Sequence, residues 1–117
     1  MGIPRASRLR RSGDFERVRL LGRTWVNPWL VLGVLDNDLG HVRVGVSASR
    51  RVGGAVKRVR ARRLIREAVR PRLDKISGGW DLVFVARASL SNASYKDVDR
   101  AVAQLLQRAR LFAEIEQ

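Results

Sequence analysis

The sequence predicts an α+β fold, an α/β sandwich in which a single, mostly antiparallel sheet carries three helices. Short β-branched and aromatic runs alternate with segments of helical periodicity, and one apolar run reads as a strand covered on both faces. The supply of apolar residues is that of one core: 117 residues, 45% of them hydrophobic, make one ordinary domain. The expected order is α-β-β-(β)-α-β-α within a single domain, 1–117.

Residues 1–11, "MGIPRASRLRR", are basic and broken by Pro4, with Ile3 and Leu9 as the large aliphatic side chains. They are expected to form a flexible basic arm, ordered by a partner, or an ordinary frayed terminus. Ser12 is placed to cap a short helix, with Asp14 in its first turn, Phe15 and Val18 on one face and Gly22 as its stop. "TWVNPWLVLGVL", Thr24 to Leu35, is extended chain broken at Asn27-Pro28 that turns into a strand, and "DNDLG" supplies the next turn. A further strand follows in "HVRVGVS", His41 to Ser47. After the loop at Gly53-Gly54, helical periodicity runs from Ala55 to Arg70 and ends where Pro71 blocks it. "ISGGW" is a turn, and Trp80 to Ala86, almost wholly apolar after Asp81, is the most buried strand. Ser94 and Asp97 form a capping-box variant ahead of Val98, Ala101, Val102, Leu105, Ala109 and Phe112, which recur at three- and four-residue spacing.

Charge is the strongest global signal. The 24 Lys and Arg exceed the 11 Asp and Glu by 13, and arginines number 21 against 3 lysines. Such a field attracts polyanions, and guanidinium forks suit phosphate. The excess concentrates in "RRVGGAVKRVRARRLIRE", residues 50–67, where eight of eighteen side chains are cationic and only Glu67 is acidic. At ~3.6 residues per turn, Ala61, Leu64, Ile65 and Ala68 share one side of this helix, and Arg62, Arg63, Arg66 and Arg70 take the other. The pattern describes a helix docked by an apolar stripe, with a row of guanidiniums facing a nucleic acid. The bland alternative is a solvated charged face; the scarcity of acids, the continuation through Arg50 and Arg51 and the basic residues of 1–11 argue against it.

The residues offer no catalytic constellation. Cysteines are lacking, which removes disulfides, thiolate metal sites and cysteine nucleophiles. His41 is the one histidine, at a strand edge. "GGAVKR" lacks the spacing and hydroxyl of a phosphate-gripping P-loop, and the Asp36/Asp38 and Asp97/Asp99 pairs have simpler turn and helix-start roles. The longest apolar run, Leu30 to Leu35, is far too short for a bilayer, so a cytoplasmic location is expected.

The segment "VGVSASRRVGGAVKRVRARRLIREAVR", with "SGDFERV" before it and "DLVFVAR" after it, resembles the bacterial ribonuclease P protein component over most of the chain. That resemblance implies a protein subunit that binds ribonuclease P RNA and the 5′ leader of precursor tRNA. Hydrolysis would fall to the RNA subunit, magnesium would be required by the RNA-containing holoenzyme, and the protein alone would be inert; neither membrane nor DNA is expected as a partner. It also implies a left-handed βαβ crossover, against the usual rule. By match to the motif, Arg50, Arg51, Lys57, Arg58, Arg60, Arg62, Arg63 and Arg66 are expected to contact RNA, and Phe15, Thr24 and Arg87 to line a leader cleft. Three positions depart from the family pattern: Val59 stands between Arg58 and Arg60 where asparagine is usual, Arg19 where a second aromatic is common, and Gly33 where a larger cleft residue occurs. Trp29 shares the strand parity of Gly33 and is assigned to the cleft as a replacement ring, the alternative being a core position. The competing reading of the whole chain is a non-catalytic RNA-binding module, ribosomal-protein-like or an RNA chaperone.

Overall fold

The computed structural model describes residues 3–112. Helix α1 spans Ser12–Leu21, β1 Arg23–Val26, β2 Leu30–Asp36, β3 Arg43–Ala48, α2 Ala55–Val69, β4 Trp80–Ala86 and α3 Tyr95–Arg108. Short 3-10 turns occupy Arg5–Ser7, Arg70–Lys75 and Ala88–Asn92. The sheet order is β1-β2-β4-β3, antiparallel at β1/β2 and β2/β4 and parallel at β3/β4. The parallel pair needs a long connection, and α2 lies within it.

Strand alternation sorts the apolar residues into two layers. Leu30, Leu32, Val34, Val44, Val46, Leu82, Phe84 and Ala86 face one way and join the main core. Against them α2 lays Ala61, Leu64, Ile65, Ala68 and Val69, and α3 lays Val98, Ala101, Val102, Leu105 and Leu106. On the opposite face Val83 packs with Leu9 and Val18, and Phe15, Leu35 and Val85 close over them half-buried. β4 is therefore covered on both sides, which is why its sequence shows a continuous apolar run instead of alternation.

Several local expectations are corrected. Residues 3–11 do not form a free arm: Ile3 and Leu9 are buried, and the Leu9 amide donates to the Val44 carbonyl at 2.9 Å, extending the open edge of β3. Two aliphatic side chains sufficed to dock the segment. Ser12 is the first helical residue of α1, with Arg11 at the cap position and no side-chain cap bond. Phe112 lies past the end of α3, where Arg110 takes a φ of 57° and Phe112 bridges back to Ile76.

Two buried polar residues carry more structure than their sequence neighbourhoods announced. Asp81 is fully buried and accepts a bidentate pair of bonds from Arg43 at 2.9 and 2.8 Å, with Asn37 Nδ2 donating to the same carboxylate at 2.9 Å. Leaving a charge like this without its partner costs about 3–5 kcal/mol. Asn27 donates to the Ala101 carbonyl and Gln104 Oε1 and accepts from the Trp29 and Leu30 amides, so it fastens the β1–β2 bend to α3.

Candidate nucleic-acid interface

The apolar stripe of α2 fixes which of its cations face out. Arg63 and Arg66 are exposed, Arg58, Arg60 and Arg62 half-buried along the flanks, and Lys57 exposed in the first turn beside Arg50 and Arg51 of the preceding loop. Among the described residues the ion pairs are Arg19–Glu16, Arg43–Asp14, Arg43–Asp81 and Arg72–Asp99, and none includes a cation of α2. The eight candidate RNA contacts thus stand on one loop and one helix with their charges uncompensated.

The flanks differ. Arg60 reaches toward α3 and donates to the Ala93 carbonyl at 2.9 Å, so part of its guanidinium is structural. On the other flank Arg58, Arg62 and Arg66 follow one another at four-residue spacing, and the buried Nε of Arg58 has no acceptor among the described residues. Arg66 holds its proton less tightly than an ordinary guanidinium, first because it is partly desolvated and then because Arg62 and Arg8 lie near it. Val59, in place of the usual asparagine, is 53% exposed, and Val56 is 83% exposed one turn earlier, so apolar surface is interleaved with the charge.

Across the sheet, α1 and the residues on the opposite face of the strands enclose a cleft of about 280 Å³ lined by Phe15, Val18, Thr24, Val31, Gly33, Ser47, Val83 and Val85, with Glu16 and Arg19 at its rim. Two glycines set its depth. A Cβ at Gly45 would meet the Phe15 ring at 2.5 Å, so the ring lies directly on the β3 backbone; a Cβ at Gly33 would meet Val18 Cγ1 at 2.9 Å. Gly33 therefore serves the close approach of α1 to β2. Arg19 is paired with Glu16, and that hydrogen bond lowers the Glu16 pKa. Phe15 and Thr24 both line this cleft.

Arg87 and Trp29 do not line it. Arg87 follows β4 at its end, with Nη1 donating to the Asn27 carbonyl at 2.8 Å and its amide to the Trp29 carbonyl at 2.9 Å. Trp29 packs against the main core on the opposite side of the sheet. Its assignment to the cleft fails because the Asn27-Pro28 bend interrupts strand geometry before β2 begins at Leu30, so counting by twos from Gly33 does not extend back to it. Arg8 and Arg10, counted in the sequence with the basic charge of 1–11, are brought beside Arg66 by the docked segment 3–11, a placement the sequence reading does not foresee. Their signal was Ile3 and Leu9, apolar side chains in an otherwise polar stretch.

Comparison with known proteins agrees with this geometry. A family model described as Ribonuclease P matches residues 3–110. The Ribonuclease P protein component of Herpetosiphon aurantiacus is 43% identical over 115 residues, covering 98% of this chain and 94% of the relative. That of Chloroflexus aurantiacus is 45% identical over 108 residues, covering 92% of this chain and 80% of the relative. The solved RNase P protein of Staphylococcus aureus superposes with a TM-score of 0.85 at 26% identity, covering 93% of this chain and all of that one. The RNase P protein of Thermotoga maritima gives 0.78 at 28% identity, covering 94% and 98%.

Proposed function

This chain belongs to the ribonuclease P protein family, and from that premise we propose that it is the non-hydrolysing subunit of a ribonucleoprotein that removes the 5′ leader from precursor tRNA. The RNA subunit carries out the cleavage, and the protein works in the cytoplasm by neutralising phosphate and holding the leader. The observation that carries this reading is the outer face of α2, a row of guanidiniums with no carboxylate partner among the described residues. Arg58, Arg62, Arg63 and Arg66 neutralise backbone phosphates of the RNA subunit, helped by Arg50, Arg51, Lys57 and the free part of Arg60. Like charges four residues apart cost a helix a few tenths of a kcal/mol per pair, roughly, and a bound polyanion removes that cost.

On the other face the cleft takes the single-stranded leader. Phe15 offers a ring for stacking, worth about 1–3 kcal/mol per base, and Thr24 and Ser47 offer hydroxyls. Arg19, paired with Glu16 at the rim, presents charge where relatives of this family commonly present an aromatic. Arg87, anchored to the bend between β1 and β2, orients the cleft's far end rather than lining it.

Magnesium in this reading belongs to the RNA-containing particle. Among the described residues no group of three or more His, Asp or Glu side chains comes together. Among the described residues no helix is long and apolar enough to cross a membrane.

Reconstitution with a ribonuclease P RNA transcript at limiting magnesium, scored by release of the 5′ leader, tests the proposal. Stimulation by the protein, with no cleavage by the protein alone, is expected; no stimulation despite tight RNA binding would favour a chaperone or ribosomal-protein-like module. Phe15→Ala should weaken binding of leader-bearing precursor more than of mature tRNA, and equal losses would remove the leader from the cleft.

A further inference from the structure

The docking of residues 3–11 builds a second cavity, away from the cleft. It measures about 370 Å³ and is lined by Ile3, Arg8, Leu9, Arg10, Val44, Val46 and Arg66, from three separate parts of the chain. Ile3, Leu9, Val44 and Val46 are all at most 8% exposed and make a dry floor. The polar lining consists of three arginines and no acid. Arg8 is held in place: its Nε donates to the Ile3 carbonyl at 2.7 Å, and the next amide, Leu9, is bonded to Val44. Among the described residues none of the three guanidiniums takes part in an ion pair.

The three arginines, exposed at the rim of an apolar floor, still repel one another, with water screening part of that repulsion. An anion between them relieves that repulsion, and planar guanidinium forks match the oxygens of a phosphate better than those of a halide. The pKa of Arg66 is lowered first by its partial burial and then by the nearby charges of Arg62 and Arg8.

We propose that this cup seats one phosphate group of the RNA that lies along α2, its oxygens gripped by Arg8, Arg10 and Arg66 above the floor of Ile3, Leu9, Val44 and Val46. The inference rests on α2 being the RNA face and extends it: the phosphate track of Arg58, Arg62 and Arg66 does not stop at the helix but turns onto the amino-terminal segment. That segment is then part of the binding surface because it is docked, and RNA bound there also clamps it to β3.

Two measurements on the full chain test it, using Arg10→Gln/Arg66→Gln and, as a reference on the α2 face outside the cup, Arg63→Gln. In the first, chloride is exchanged for inorganic phosphate at constant ionic strength. The melting temperature of the wild type and of Arg63→Gln should rise by binding to the native state, and that of the cup variant should not. An equal rise in all three, or an equal effect of chloride, overturns the cup. In the second, affinity for a ribonuclease P RNA transcript is followed against salt. The cup variant should flatten the log–log slope by about 0.7–0.9 for the lost phosphate. An unchanged slope, with phosphate protection lost, assigns the cup to free anions and overturns the RNA source. If the Arg63→Gln slope is also unchanged, it is the α2 reading that has failed, not the cup alone. Should the double variant fail to fold in chloride, Arg10→Gln alone, whose side chain is exposed, carries both measurements.

Discussion

Helices α2 and α3 pack side by side on the same face of the sheet, and each buries five residues in the same core. They differ in everything else. α3 begins with a reciprocal capping box, Ser94 Oγ accepting from the Asp97 amide at 3.2 Å and Asp97 accepting from the Ser94 amide at 3.1 Å. It carries Asp97 in its first turn and Arg108 in its last, as the helix dipole favours. α2 begins at Gly54 with no side-chain cap and no acid in its first turn, and it places Lys57 and Arg58 near the positive end of its dipole. The outer face of α3 is knitted to its neighbours through Asp99 and Arg72, at 2.7 Å, while that of α2 pairs with no carboxylate among the described residues. Where every local choice favours folding, a helix is scaffold; where they conflict, the unsatisfied groups mark where a functional site is to be sought.

The widest contrast should come from the outer face of α2. Replacing Arg62, Arg63 and Arg66 together by glutamine is expected to lower RNA affinity by about tenfold per side chain and, where roughly five of the eight cations meet phosphates, to flatten the salt slope by roughly 2 to 3 from a starting value of about −3.5 to −4.5. Urea unfolding of the same variant should show no loss of stability. A destabilised variant with normal RNA affinity would reverse the assignment of roles. Within the shared core, Leu105→Ala in α3 and Ile65→Ala in α2 should each cost about 2–5 kcal/mol, since both side chains are fully buried. A markedly smaller loss at Ile65 in urea titrations would break the claim that the helices share one core.

At the helix ends the comparison sharpens further. Ser94→Ala should cost about 1 kcal/mol, and Gly54→Asn, which gives α2 the cap it lacks, should gain a few tenths of a kcal/mol, roughly. Nothing lies within 4 Å of a Cβ at Gly54, so the gain is not offset by a clash. The smallest effect is acid sensitivity. Asp97, bonded by Ser94, and Asp99, bonded by Arg72, are both held below the ordinary aspartate value of 3.8. A depressed folded-state pKa contributes stability above the unfolded value that is lost as pH falls through the folded one. The melting temperature should therefore hold from about pH 6 to 5 and drop below about pH 4. In Ser94→Ala/Asp99→Asn the drop should be smaller, and an identical drop would place the acid-sensitive groups elsewhere.

The legible parts of this fold were those where one periodicity dominates. Val98 to Leu105 and Ala61 to Ala68 repeat at helical spacing, and β4 is apolar after Asp81, so both helices, their buried faces and the central strand are readable in advance. What escaped depended on partners distant in the chain. Asp81 reads as the polar start of a strand until Arg43 is found beside it, 38 residues earlier. Asn27 reads as a turn residue until Ala101 and Gln104 arrive. Trp29 leaves the parity of Gly33 because β2 begins only at Leu30 and Trp29 still belongs to the bend that starts at Asn27-Pro28. The arginines of α2 were legible as a set, but not the division of labour by which Arg60 partly serves α3 and Arg66 faces the docked segment.

β4 is the last strand in the sequence, yet it lies between β2 and β3, which share no ladder of their own. During synthesis the first three strands emerge as two unjoined halves of a sheet, and the piece that unites them arrives only after the chain has looped back through α2. Closing that loop carries an entropic cost before any of its contacts form, and the uncapped, self-repelling crossover does little to lessen it. A polyanion that straightens and steadies this stretch would act as a jig for the final insertion, so the nucleic acid partner would help manufacture the very surface that recognises it.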